Sequence, residues 1–128
     1  MKVVKSIVPF LLAVFFSVPI SAQCDNWIGL SNEDALTDSF VIFRDYLKQK
    51  KFDKAFPLWE EVYRNAPAAD GRRDHVYSAG VELYFYKFQN TKSKKRKSEY
   101  AQMVRKLIEE QRKCYPENKV LILSLIHI

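Results

Sequence analysis

Glycine is scarce in this chain, at three residues of 128. Asn-Gly does not occur, and the one Asp-Gly, Asp70-Gly71, is not flanked by alternating apolar and polar runs. Tight β-hairpins need residues that accept positive φ, so this poverty argues against an all-β fold. Cysteine and histidine are rarer still, two of each. Cys24 and Cys114 lack the closely spaced partner ligands that structural zinc requires, and no metal or other cofactor is expected. No glycine-rich phosphate loop is present. The acidic pairs Glu60-Glu61 and Glu109-Glu110 are sequence neighbours, and successive residues of a helix do not converge. His75, beside Asp74 at the start of a helical stretch, has no nucleophile next to it and fits an exposed structural role. With neither nucleophile and base nor converging carboxylates, the expectation is that the chain is not an enzyme.

What is present begins with an address. Lys2 and Lys5 precede an apolar run from Ile7 to Phe16 broken only by Pro9, and Ser17 to Ala22 leads to a small residue before Gln23. Positive start, short apolar stretch and small residue at the cut are the order of a cleavable export signal. The run falls short of the roughly 20 residues that span a bilayer, so no stable transmembrane span is expected once residues 1–22 are removed. An uncleaved anchor is the rival, and lipidation of Cys24 a second; Gln23 stands where a lipidated cysteine ordinarily follows Gly, Ala or Ser. Export places the mature chain where thiols oxidise. Cys24 and Cys114 could then pair, or stay separate with other partners. Discounting Lys2 and Lys5 leaves a formal charge of +4 of the original +6, a mild excess that favours solubility and weak attraction to anions.

The last six residues, Leu123-Ser124-Leu125-Ile126-His127-Ile128, are those encoded by the end sequence of a widely used sequencing transposase adapter. The expectation is that residues 123–128 are an artefact on a truncated tail, 117–128, and that His127 has no functional weight.

Between these ends the apolar spacing is helical. Residues 23–30 read as a linker. Ser31 and Asp34 have capping-box spacing, opening a helix over about residues 32–50 with Leu36, Phe40, Phe43 and Leu47 on one stripe and Val41 and Ile42 widening it. Lys48 to Lys51 place cations at its negative end. Asp53 reads as the cap of a second helix with Ala55, Trp59, Val62 and Ala66 inward, Pro57 in its first turn and Pro67 as its stop. So short a connection makes the pair antiparallel. A polar loop from Ala68 to Arg73 leads to a third helix from Asp74, with Tyr77, Val81, Tyr84 and Phe88 as its stripe. Gly80 sits inside that helix, where it costs about 1 kcal/mol relative to alanine and marks a close helix approach. A fourth, from Ser93 to Cys114, carries Tyr100, Val104, Leu107 and Gln111 and ends at Tyr115-Pro116. The fold class expected is all-α, in two helix hairpins over residues 31–67 and 74–116.

On those residues the chain resembles a tetratricopeptide repeat, a helix hairpin of about 34 residues. Ile42 falls at the family's leucine, Tyr46 at its tyrosine, Phe52 at the aromatic opening the second helix, Ala55 at the small residue, Trp59 at the second-helix aromatic, and Pro67 at the terminal proline. Val62 replaces a second alanine. Ser39 replaces the usual tryptophan, and Phe43 replaces the small residue that brings the helices together, which predicts a wider crossing. The second unit is divergent, since Pro67 and Pro116 stand 49 residues apart; the pattern is similar to repeat proteins of the bacterial envelope. The resemblance implies the start of an α-solenoid in the periplasm or at the outer surface, acting as a scaffold that binds a protein or peptide partner through Tyr46, Tyr77 and Tyr84. A small three- or four-helix bundle is the other architecture these stripes allow.

The basic run Lys92-Ser93-Lys94-Lys95-Arg96-Lys97 is the sharpest local feature. Cations at a helix N-terminus oppose its dipole. Lys94, Lys95, Arg96 and Lys97 therefore suggest a second function, a module binding an anionic envelope polymer or carbohydrate; nucleic acid is not an expected partner of an exported chain. A third reading makes the hairpins a support for a downstream domain. Tyr77, Tyr84, Phe85, Tyr86 and Phe88 exceed what one hairpin buries, and await either a further repeat or a ligand.

Overall fold

The computed structural model describes residues 24–118. The expected export signal, residues 1–22, and the expected adapter-derived residues, 123–128, lie outside them. The described residues are all-helical: α1 spans Glu33–Lys48, α2 Phe52–Asn65, α3 His75–Asn90 and α4 Lys94–Cys114. No helix among them is long and apolar enough to cross a membrane.

Each hairpin forms for a local reason. The α1 stripe Leu36, Phe40, Phe43 and Leu47 is buried, as are Ala55, Trp59 and Val62 on α2. The turn between them is a Schellman motif: Lys51 N–H donates to the Tyr46 carbonyl at 2.9 Å and Lys50 N–H to that of Leu47 at 3.0 Å, closing the free carbonyls of α1. Lys50 occupies the left-handed position, φ 59°, which ordinarily goes to glycine because a Cβ crowds the following carbonyl. Lys50→Gly is therefore expected to stabilise the chain by about 1 kcal/mol, read as a higher urea midpoint; an unchanged or lower midpoint would show that the lysine carries no strain.

Caps differ from expectation. Asn32 stands at the N-cap of α1 without a side-chain bond, and the Ser31–Asp34 capping box does not form. Glu33 instead reaches back to accept from Gly29 N–H at 2.9 Å. α2 begins at Phe52, so Asp53 lies in its first turn rather than before it. Pro57 consequently sits in the second turn, where it withholds the donor that would serve the Asp53 carbonyl.

Val41 and Ile42, read as a second packing face, are 60% and 44% exposed. On α3 the buried set is Val76, Tyr77, Ala79, Gly80 and Leu83, a rotation away from the stripe expected through Val81, Tyr84 and Phe88. Gly80 fixes this phase. A Cβ there would overlap the six-membered ring of Trp59 from α2 and stand 2.9 Å from Leu107 Cδ1 of α4. Gly80 is thus where three helices meet. Trp59 Nε1–H donates to the Val76 carbonyl at 2.7 Å, satisfying the buried indole.

Residues 24–30 do more than link. Trp27 is buried, edge-on to Phe40 at 5.3 Å, and its N–H donates to the Ala69 carbonyl at 2.9 Å while Ala68 N–H donates to that of Asp25 at 2.8 Å. The loop they bond, read as polar, has Ala68 and Ala69 buried. A disulfide joins Cys24 to Cys114, with Cα atoms 5.5 Å apart and 90 positions of sequence between them. The N-terminal segment is thereby tied both to the inter-hairpin loop and to the end of α4.

Candidate functional site

α1 and α3, the first helices of the two hairpins, leave a groove of about 560 Å³ between them, within the size range of ligand and peptide pockets. Leu47 and Ala79 line it as buried apolar residues, and Val81 and Phe85 extend the apolar wall on α3. Arg44, Lys48 and Lys50 come from α1 and its turn; Glu82 comes from α3. Lys50 Nζ stands 3.6 Å from Glu82 Oε1, an exposed pair that contributes little stability. Three cations against one carboxylate leave the lining positive.

His75 and Ser78 close one end. His75 is held below its ordinary value of 6.5, first by desolvation and then by the Arg44 charge. A base whose folded pKa is depressed gives stability that is complete above the unfolded value and declines as pH falls through 6.5. We expect urea midpoints of the wild type and His75→Gln to diverge between pH 7.5 and 5.5, the wild type losing more. Parallel pH profiles would refute the lowered pKa of this imidazole.

The tyrosines expected to meet a partner divide. Tyr77 is fully buried; its hydroxyl donates to Cys114 Sγ at 3.5 Å and its ring meets Tyr115 edge-on at 6.1 Å. It is core, and the expectation of a contact there is corrected. Tyr84 is half-buried among Phe56, Trp59 and Tyr100, with centroids 5.6, 5.8 and 6.0 Å away, on the side of α3 that meets α2 and α4. Tyr46 is partly exposed next to Val41 and Ile42 on α1. The surplus aromatics of α3 find internal uses. Tyr86 stacks on Phe52 at 4.3 Å and Phe85 lies parallel to Phe88 at 6.5 Å, so of this set Phe85 alone lines the groove.

In the basic run, Lys94, Lys95 and Arg96 are exposed at the start of α4. Ser93 caps it, accepting from Arg96 N–H at 3.3 Å. Lys97 Nζ lies 5.2 Å above the Phe88 ring and Lys87 Nζ 3.7 Å above Phe56, cation–π contacts that stabilise each ammonium on an aromatic face. The acidic pairs point apart: Glu61 accepts from Ser39 Oγ at 3.3 Å and Glu60 from Arg64 at 2.7 Å. Glu110, buried, accepts from Tyr63 Oη at 2.8 Å, and burial together with this bond pushes the Tyr63 phenol well above its ordinary value. Among the described residues no cluster of His, Cys, Asp or Glu could hold a metal ion.

Sequence reasoning missed Arg44, Lys48, Lys50 and Val81 as groove residues: Lys48 and Lys50 read as ordinary cations at a helix end, Val81 as part of a packing stripe, and nothing singled out Arg44. No protein-family profile, curated protein or solved structure matches this chain. The reading of its function therefore rests on its own residues.

Proposed function

We propose that this chain is an exported, non-enzymatic scaffold that binds an extended segment of a partner protein in the α1–α3 groove. The observation that carries this is the groove itself: an apolar floor with polar margins, walled by the equivalent helix of each hairpin. A tetratricopeptide-like arrangement would place these helices side by side in this way, and the pairing of Cys24 with Cys114 suits an oxidising compartment.

The test is an amide chemical-shift map of the intact chain titrated with peptides selected for binding it by display. Shifts should concentrate at Leu47, Ala79, Val81 and Phe85. Shifts confined to Lys94–Lys97 would replace the groove reading with the second one, a surface for anionic envelope polymers, favoured by three exposed cations opposing the α4 dipole. Charge reversal at Lys94, Lys95 and Arg96 separates the two: it abolishes polymer binding and leaves groove binding in place.

A further inference from the structure

We propose that the α1–α3 groove selects acidic peptides, in which Asp or Glu alternates with large apolar side chains. The inference depends on the groove being the docking surface and adds the chemistry of what docks. Arg44, Lys48 and Lys50 line it against the single carboxylate of Glu82, and Glu82 is already engaged by Lys50 at 3.6 Å. Arg44 and Lys48 are one turn apart, so they present neighbouring charges along one edge of the groove. The apolar groups Leu47, Ala79, Val81 and Phe85 lie beside that edge. An occupant complementary to both carries anions toward α1 and apolar side chains toward α3.

Lys50 adds a separate observation. Its left-handed backbone, φ 59°, would suit glycine better, yet the position holds a long cation that reaches Glu82 across the groove. Bound carboxylates would meet this ammonium as well as Arg44 and Lys48. Charge at the margin of an interface acts chiefly on selectivity and association rate, so the acidic class should be distinguished from neutral peptides of the same shape by its salt dependence.

The experiment is a random-peptide display selection against the full, oxidised chain, counter-selected against Ser78→Trp, which obstructs the groove from the end that Ser78 lines. Peptides that depend on an open groove should be enriched in Asp and Glu interleaved with Leu, Ile or Phe. Arg44→Glu/Lys48→Glu should weaken them at least about tenfold and favour Lys- or Arg-bearing peptides instead. Lys50→Gly, which removes a charge while relieving the backbone, should weaken them without loss of stability, so that the loss is not one of folding. Groove-dependent peptides that are neutral or basic would overturn the acidic preference and leave the docking surface standing. Peptides retained equally by Ser78→Trp would overturn the docking surface itself.

Discussion

Replacing both cysteines, Cys24→Ser/Cys114→Ser, is expected to lower the stability of the chain by about 4–5 kcal/mol, from the chain entropy of a loop of this length. The bond spans 90 positions, nearly all of the described residues, so almost the whole unfolded ensemble is confined by it. Domains of this size are stable by only about 5–15 kcal/mol. The loss therefore takes between about a third and nearly all of that stability, and the double variant should melt far below the oxidised protein. Its segment 24–30 should also lose protection, since it would then be held by the packing of Trp27 on Phe40 and two backbone bonds to Ala68 and Ala69. Thermal melts of the variant, and of the wild type in reductant, measure this. A melting temperature within a few degrees of the oxidised protein would mean that the packing of Trp27 and Tyr115 supplies the tie without the bond.

The second large effect belongs to the meeting of Trp59 and Gly80. Trp59→Ala should cost about 3–5 kcal/mol for a buried aromatic, with the Val76 carbonyl left without its indole donor. Gly80→Ala gains helix propensity of about 1 kcal/mol but drives a methyl into the indole and toward Leu107 Cδ1. Overpacking of this kind costs about 1–3 kcal/mol. The atom it strikes hardest is Trp59 Cζ2, in the part of the indole that extends beyond a phenylalanine ring. In a Trp59→Phe background Gly80→Ala should accordingly become nearly neutral or stabilising. The double-mutant cycle should show coupling of at least about 1 kcal/mol. Additive costs would mean that Gly80 is kept for some reason other than closeness to this ring.

The helices were legible in the sequence where side chains are unambiguous about water. Leu36, Phe40, Phe43 and Leu47 have one inward reading, and the structure buries all four. α3 was harder, because tyrosine and phenylalanine occur around its whole circumference and the stripe through Val81 and Phe88 looked as good as the true one. Gly80 marks a close approach in the sequence, but the phase follows from its meeting Trp59 and Leu107, a relation among three helices which no window on α3 contains. Trp27 was missed for a different reason: an irregular segment has no period to read. The groove was illegible for a third reason. Lys48 satisfies the α1 dipole by position alone and Arg44 stands one turn before it, and only the placement of α3 opposite them makes these cations the wall of a concave surface.

The bond between Cys24 and Cys114 also decides how the molecule would respond to being pulled. Tension applied to its two ends passes straight through the sulfur atoms, so both hairpins are shielded from load while the bond lasts. A pull on this chain would extend only what lies outside the ring, and the α1–α3 groove would keep its shape. Once reduced, the same tug would fall first on residues 24–30 and their backbone bonds to Ala68 and Ala69.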